Sequence, residues 1–349
     1  MINYLPLLPD EHLVSGLMRS FVISGYTDFL ELVGSLNVNK HHRFNPHNVF
    51  GNATLNIAKN YSKQFNHSIN YVLKSHSLWP IYNIGNPITL HIDLITRINQ
   101  NENVLKKLWI NRQDVSYDQG WKFCPRCIEE DIKHFGVSYW HCSHQLPTIS
   151  ACLEHNTRLR IAGKSDKSHR EEHNLRLPQL IDLANTEEVT QISTSWDEWL
   201  LTLFQTLKTN NSFNLMRAKS IISTHFDLKK KILLPEETQR LHLKFDQSLP
   251  LPKLFHYQVI QVPIKDSDKY LKILERYLGF EMLSKVYSFY TSNGRVNSGK
   301  FKNFVREPLQ NIDQKIDHPM SYLLILYSIK LSPEHLEIDY GQFKSDTAA

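Results

Sequence analysis

Apolar positions near the start of the chain recur at helical spacing. In "DEHLVSGLMRSFVISG", Leu13, Val14, Leu17, Met18, Phe21 and Val22 fall three and four apart. Asp10 suits the N-cap of this helix and Gly25 its end. "YTDFLELVGSL" follows at once with Thr27 as a cap, so the pair is either a helix-turn-helix with Gly25 in the turn or a plain helical hairpin. Residues 53–65 and 69–78 read as further helices, and "HSLWPIY" breaks the pattern at Pro80. Farther along, Ser195 and Glu198 form a capping box for a helix whose apolar face is Trp196, Trp199, Leu200, Leu203, Phe204 and Leu207. Helical spacing also marks 214–224, 267–278, 280–291, 300–312 and 319–329, whereas "HYQVIQVPI" is the best strand candidate. The pattern predicts a mainly α protein without internal repeats or low-complexity tracts.

Composition narrows this picture only a little. The chain has 349 residues, 41% hydrophobic and 21% charged, which is enough to bury two or three packed units and excludes wholesale disorder. The formal charge of +5 permits a nucleic-acid partner without requiring one. No apolar run approaches the roughly 18–20 residues of a membrane span, and "MINYLPLLPDEHL" lacks the basic end and apolar core of a secretion signal, so a cytoplasmic protein with no membrane partner is expected. The polar stretch "GKSDKSHREEHN" marks a boundary. We divide the chain into an N-terminal helical unit over 1–115, a metal-binding module over 116–162 and a C-terminal helical domain over 163–349.

The chemistry concentrates in "CPRCIEEDIKHFGVSYWHCSHQLPTISACLEH", residues 124–155, which holds every cysteine of the chain. Cys124 and Cys127 form a CxxC knuckle, and Cys152 and His155 form a CxxH knuckle: four ligands suited to tetrahedral Zn2+. A thioredoxin-like redox pair is the main rival for the first knuckle, but no βαβ pattern surrounds it. His141, Cys142 and His144 in "WHCSH" are near enough in sequence to replace a member of the set; Cys142 reads better as a small apolar filler. Four protein ligands close the tetrahedron, so the predicted zinc is structural, one ion, and nothing resembles HExxH. The acidic trio Glu129, Glu130 and Asp131 reads as the solvated start of a helix.

A second stretch bears on DNA. From Met282 to Arg306 there is no acidic residue, and Lys285, Arg295, Lys300, Lys302 and Arg306 alternate with aromatic residues. "YSFYTSNGRVNSGKFKNFVR" places a glycine turn between two predicted helices, which fits a second helix-turn-helix with its cations on phosphates. The alternative is an ordinary helix pair whose aromatics are core and whose cations are solvated. "KKK" at Lys229 to Lys231 is a helix-end run or a phosphate contact, and "HHRF" at His41 to Phe44 is equally ambiguous. No phosphate-binding loop, nuclease-like carboxylate set or nucleophile elbow is present, so no catalytic residue is assigned and an enzyme is not expected.

The landmarks between the knuckles resemble the zinc motif of the TniQ family, which includes the transposon target selector TnsD: CPxC, an acidic pair, a glycine, an aromatic pair, "HQLP", and the CxxH closure. "PLLPDEHLVSGLMRSFVISGY" is similar to the proline, acidic residue, serine and arginine pattern that leads into the family's N-terminal helix-turn-helix, "SHSLWPIY" resembles a segment of TnsD-type members, and "DHPMSYLLILYSI" resembles a later helix of the same group. The likeness covers roughly residues 4 to 160. It implies a bacterial transposition protein that marks an insertion site on double-stranded DNA and passes that choice to an AAA+ regulator of the TnsC type. It also implies Cys124, Cys127, Cys152 and His155 as zinc ligands. Some CRISPR-associated members carry a further cysteine pair; none follows Cys152 here, so a second zinc is not expected. Two branches stay open, a TnsD-like reader of one DNA site and an adaptor on an RNA-guided CRISPR effector. A stand-alone zinc-containing helix-turn-helix regulator is the alternative outside transposition, with a zinc hydrolase ranked well below.

Overall fold

The computed structural model describes residues 3–25, 36, 44–83, 120–162, 176–189, 193–209, 229–232, 258–261, 283 and 319–328. Within these it is helix-rich with short strands, in keeping with the mainly α expectation. The chain divides into two compact units: residues 1–82, 93–106 and 117–204 form the first, and 83–92, 107–116 and 205–349 the second.

The first unit opens with α1 (Leu13–Ile23), α2 (Asn52–Phe65), α3 (Ile69–His76) and α4 (Trp79–Tyr82). Helix α1 buries Leu13, Val14, Leu17 and Met18 against α2 and α3, as its spacing predicts. Its cap is His12 rather than Asp10: the His12 Nδ1 accepts from the Val14 amide at 3.2 Å, while Asp10 sits in the left-handed region at φ 54°. Gly16 lets α1 lie close to α2, since a Cβ there would collide with Leu7 and with the Tyr61 hydroxyl. Helix α3 ends before "LWPIY" because the Ser77 hydroxyl bonds back to the Leu73 carbonyl at 2.6 Å and accepts from the Trp79 amide at 3.0 Å. Pro80 therefore lies in the first turn of a new short helix, where its missing N–H costs nothing.

Next come β1 (Lys122–Phe123) and α5 (Pro125–Phe135). The strands β2 (Ala151–Cys152), β3 (Thr157–Arg158), β4 (Arg160–Ala162) and β5 (Thr186–Glu188) follow, and then α6 (Thr194–Thr209). Strands β1, β4 and β5 make an antiparallel sheet in that order, with Phe123 opposite Arg160 and Ile161 opposite Glu187. Strands β2 and β3 form a separate hairpin with Cys152 opposite Thr157. Gln145, in a 3-10 turn at Ser143–Gln145, substitutes for a strand: its side-chain oxygen accepts from the Lys122 amide at 2.9 Å and its amide donates to the Lys122 carbonyl at 2.7 Å. Lys122 is itself buried, and its ammonium donates to the Leu146 and Ile149 carbonyls at 2.7 and 3.2 Å.

Helix α6 starts from a Ser193 cap, whose hydroxyl accepts from the Trp196 amide at 3.1 Å, rather than from a box between Ser195 and Glu198. Its buried face includes Trp196, Leu200, Leu203 and Phe204, as expected. Asp197 on that helix accepts from the Ser150 amide at 3.2 Å and from the Ser150 hydroxyl at 2.5 Å. Asp197→Ala strands both buried donors and is expected to lower stability by about 1–3 kcal/mol. Denaturant unfolding followed by tryptophan fluorescence checks this.

In the second unit, β6 (Lys229–Ile232) pairs antiparallel with β7 (Gln258–Gln261), and α7 (Pro319–Ser328) carries buried Met320, Leu323, Leu324 and Leu326. Strand β7 falls inside the predicted "HYQVIQVPI", and α7 inside the helix predicted at 319–329. The lysine run 229–231 lies in a strand, not at a helix end, because its partner across the ladder is that same β-prone segment. The helices predicted at 214–224, 267–278 and 300–312, that at 280–291 except helical Leu283, the segment from Thr27 to Leu36 except its last residue, and the run His41 to Arg43 lie outside the described residues.

Candidate metal centre

Strand β1 delivers the chain to Cys124, which is the N-cap of α5, with Pro125 preset at the first helical position. Cys127 lies one turn on, so a single helix start aims both sulfurs the same way, and the positive end of the helix favours thiolate there. Gly136 ends α5 in the left-handed conformation, φ 75°. The second knuckle is the tip of the β2–β3 hairpin: Cys152 ends β2, and the turn carries His155 before left-handed Asn156, φ 49°. Only Leu159, fully buried, separates β3 from β4, which pairs with β1. Both knuckles therefore hang from one sheet and meet.

The ligand atoms of Cys124, Cys127, Cys152 and His155 all lie within 4.8 Å of one another, and this is the one such cluster among the described residues. The Cys127 and Cys152 sulfurs are 3.6 Å apart, and His155 Nδ1 lies 3.7, 3.3 and 3.6 Å from the sulfurs of Cys124, Cys127 and Cys152. A tetrahedral metal with bonds of about 2.3 Å to sulfur and about 2.0–2.1 Å to nitrogen has edges of about 3.8 and about 3.6 Å. The donors thus stand near the corners of a metal tetrahedron, and the group can hold a metal ion. None of the four cysteines is in a disulfide. Cys142 is buried outside the cluster, its amide donating to the Asp10 carbonyl at 2.7 Å, in line with the filler role.

Three further side chains support the cluster. Glu130 accepts from His155 Nε2 at 2.9 Å, which fixes the ring with Nδ1 facing the sulfurs. Thr157 Oγ1 lies 3.1 Å from the Cys124 sulfur, and His144 Nε2 lies 3.8 Å from that of Cys127. The acidic trio is therefore not simply solvated: Glu130 holds His155, and Asp131 is buried 3.0 Å from His141 Nε2. Glu130 was discoverable, since it lies three residues beyond Cys127 on one helix face. Thr157 depends on hairpin register and left no local signal.

Crowding of the thiols splits their acidities. Hydrogen bonds from Cys127 and Cys152 draw the Cys124 thiol well down, while hydrogen bonding to Cys124 and Cys152 pushes Cys127 up and hydrogen bonding to Cys124 pushes Cys152 up to about 11. The hydrogen bond with Glu130 raises His155. A metal entering must displace these protons, so its affinity is retained at higher pH and lost as pH falls. Competition with a chromophoric chelator from about pH 8 to about pH 6 is expected to show affinity falling more than about tenfold per unit, the mark of more than one proton released.

The segment beside the metal centre also grips the N-terminus. Glu11 and His141 form an antiparallel bridge, with the His12 amide donating to the Trp140 carbonyl at 2.8 Å. The Trp140 amide donates to Ser15 Oγ at 3.0 Å, and the Ser143 amide to the Asp10 carboxylate at 3.0 Å. Arg19 of α1 donates twice to the fully buried Glu11, Nε at 2.8 Å and Nη2 at 2.6 Å, and Nη2 also reaches the Pro6 carbonyl at 2.7 Å. The acidic, serine and arginine landmarks of "PLLPDEHLVSGLMRS" are accordingly the residues that lock α1 to the metal-centre segment.

A helical unit locked onto a paired-knuckle Cys3His centre is the class of protein that this geometry defines. The model of the TniQ family matches residues 4–159, the stretch from the N-terminal lock through all four cluster residues, and identifies that stretch as a TniQ domain. The match connects the chain to transposon-associated function, in a family of targeting and adaptor proteins rather than enzymes. No curated protein matches the chain. No helix among the described residues is long and apolar enough to cross a membrane. Of the predicted DNA contacts, Lys285, Arg295, Lys300, Lys302 and Arg306 all lie outside the described residues.

Proposed function

We propose that this chain selects targets for a bacterial transposon. It binds target DNA, either by reading a site or together with an RNA-guided CRISPR effector, and recruits an AAA+ regulator of the TnsC type. The observation that carries this reading is the TniQ match over residues 4–159, which spans both knuckles. In this reading Cys124, Cys127, Cys152 and His155 hold one structural Zn2+, the ion best suited to three thiolates and an imidazole in a tetrahedron. The bound ion supplies a rigid cross-link between the α5 start and the β2–β3 hairpin and leaves no open position for chemistry. Glu130 and Thr157 orient the donors, and Lys285, Arg295, Lys300, Lys302 and Arg306 contribute DNA contacts from the C-terminal region.

The test is a map of insertions in cells that carry the element with and without this gene. Loss of the preferred insertion pattern, together with loss of regulator from the target, is the expected result. An unchanged pattern and normal recruitment of the regulator overturn the reading.

A further inference from the structure

Charge along the chain is unevenly distributed. Residues 32–92 contain no aspartate or glutamate, but do contain Lys40, Arg43, Lys59, Lys63 and Lys74, a formal charge of +5. The whole chain has 40 basic and 35 acidic residues, also +5, so everything outside this stretch balances to zero. The net positive charge of the protein is that of a single segment, and α2 and α3 form its described centre.

These two helices are joined by three residues, Asn66, His67 and Ser68, with Asn66 in the left-handed conformation at φ 54°. Ser68 caps α3 by accepting from the Tyr71 amide at 3.1 Å, and Ser62 Oγ donates to the His67 carbonyl at 2.6 Å, tying the turn to the end of α2. Helix α3 buries Ile69, Val72 and Leu73, while Tyr71 is 49% exposed. Lys63, Gln64, Asn66, His67 and Ser68 are exposed beside it, and the rings of His67 and Tyr71 stand 4.9 Å apart. Lys59 and Lys63 are four apart on α2, and Tyr71 and Lys74 three apart on α3, so each pair shares a helix face.

We infer that the α2–turn–α3 surface is a duplex-DNA contact, with Lys63, His67 and Tyr71 at its centre. A longer helix, a three-residue turn and a short second helix backed by α1 is the arrangement by which helix-turn-helix units present a helix to a groove. Cations and hydroxyls around the turn suit phosphate oxygens, and the lack of any carboxylate across the segment removes the repulsion that a polyanion would otherwise meet. An acidic protein is the competing occupant. Duplex DNA fits better because it is uniformly anionic and its backbone oxygens accept from polar groups such as Asn66 and Ser68 as well as from lysine. This inference rests on the DNA-binding part of the proposed function and assigns a share of it to residues other than Lys285, Arg295, Lys300, Lys302 and Arg306.

The experiment is fluorescence anisotropy of the full chain with a labelled random-sequence duplex across a salt series. The comparison is between the wild type, Lys63→Gln, and the double variant Lys63→Glu with Tyr71→Ala. Both positions are exposed, and an unchanged thermal melt and metal content establish that the variants fold. The expected result is binding weakened about tenfold in the double variant, with the slope of log affinity against log salt reduced by about one for each lysine lost. Wild-type affinity and slope in both variants overturn the inference, as does a wild type that shows no salt-dependent binding. Retention of polyglutamate as tightly as duplex also overturns it, by identifying an acidic-protein site. The insertion map separates the two ideas. Variants that lose duplex binding yet keep the insertion pattern uphold this contact and count against DNA marking by the chain, whereas an altered pattern with unchanged duplex binding does the reverse.

Discussion

Cys127→Ser is expected to abolish stoichiometric metal binding and to unfold the segment from Trp121 to Ala162. Structural zinc contributes about 10–16 kcal/mol to small modules of this kind, as much as the entire net stability of an ordinary domain, about 5–15 kcal/mol. Strands β1, β2, β3 and β4 are two or three residues each, too short to persist without the cross-link. Elemental analysis should give one zinc per wild-type chain and none per variant, and hydrogen exchange should show lost protection over residues 121–162. Cys142→Ser is the control: its sulfur lies outside the cluster, so metal content should not change. A Cys127→Ser protein with full zinc and native protection would refute the assignment of the centre.

Arg19→Met is the second large effect, expected to cost about 3–5 kcal/mol, the usual penalty for leaving one member of a buried ion pair uncompensated. Glu11 is completely buried, and after the substitution its carboxylate would keep the Leu8 amide, at 2.9 Å, as a partner but lose both guanidinium bonds. The Pro6 carbonyl would lose a donor as well. Adding Glu11→Gln should recover a large part of the loss, since a neutral amide removes the stranded charge. Urea unfolding of the two single variants and the double variant measures this coupling. Additive effects of the two substitutions would show that the pair contributes little beyond its separate packing.

The Cys3His cluster was legible because each knuckle is a local spacing, and local spacings survive in a sequence. Helices α1, α2, α3 and α6 were legible for the same reason, their apolar faces repeating within a few turns. Their caps were less so. Asp10 has the better capping chemistry, but its carboxylate serves Ser143, far along the chain, and His12 takes the cap. Buried Lys122 looks like a surface residue in sequence; the carbonyls of Leu146 and Ile149, far along the chain, accept from its ammonium there. The lysines of β6 illustrate the same limit, because a strand is decided by its partner and the partner here lies in a distant segment. Glu130 was within reach of helical spacing, whereas the contact of Thr157 with Cys124 required the register of a hairpin.

The bridge between Glu11 and His141 also sets a timetable for synthesis. Ser15 and Asp10 wait for amides 125 and 133 residues downstream, at Trp140 and Ser143. At about 5–20 residues per second, the first helix emerges roughly ten seconds before its docking partner exists. During that interval the His12 amide, Ser15 Oγ and the Asp10 carboxylate have no metal-centre segment to bond to, and water takes the place of those partners. A fragment ending before the first cysteine would remain permanently in that condition, so the N-terminal helices and the knuckles mature as one folding event.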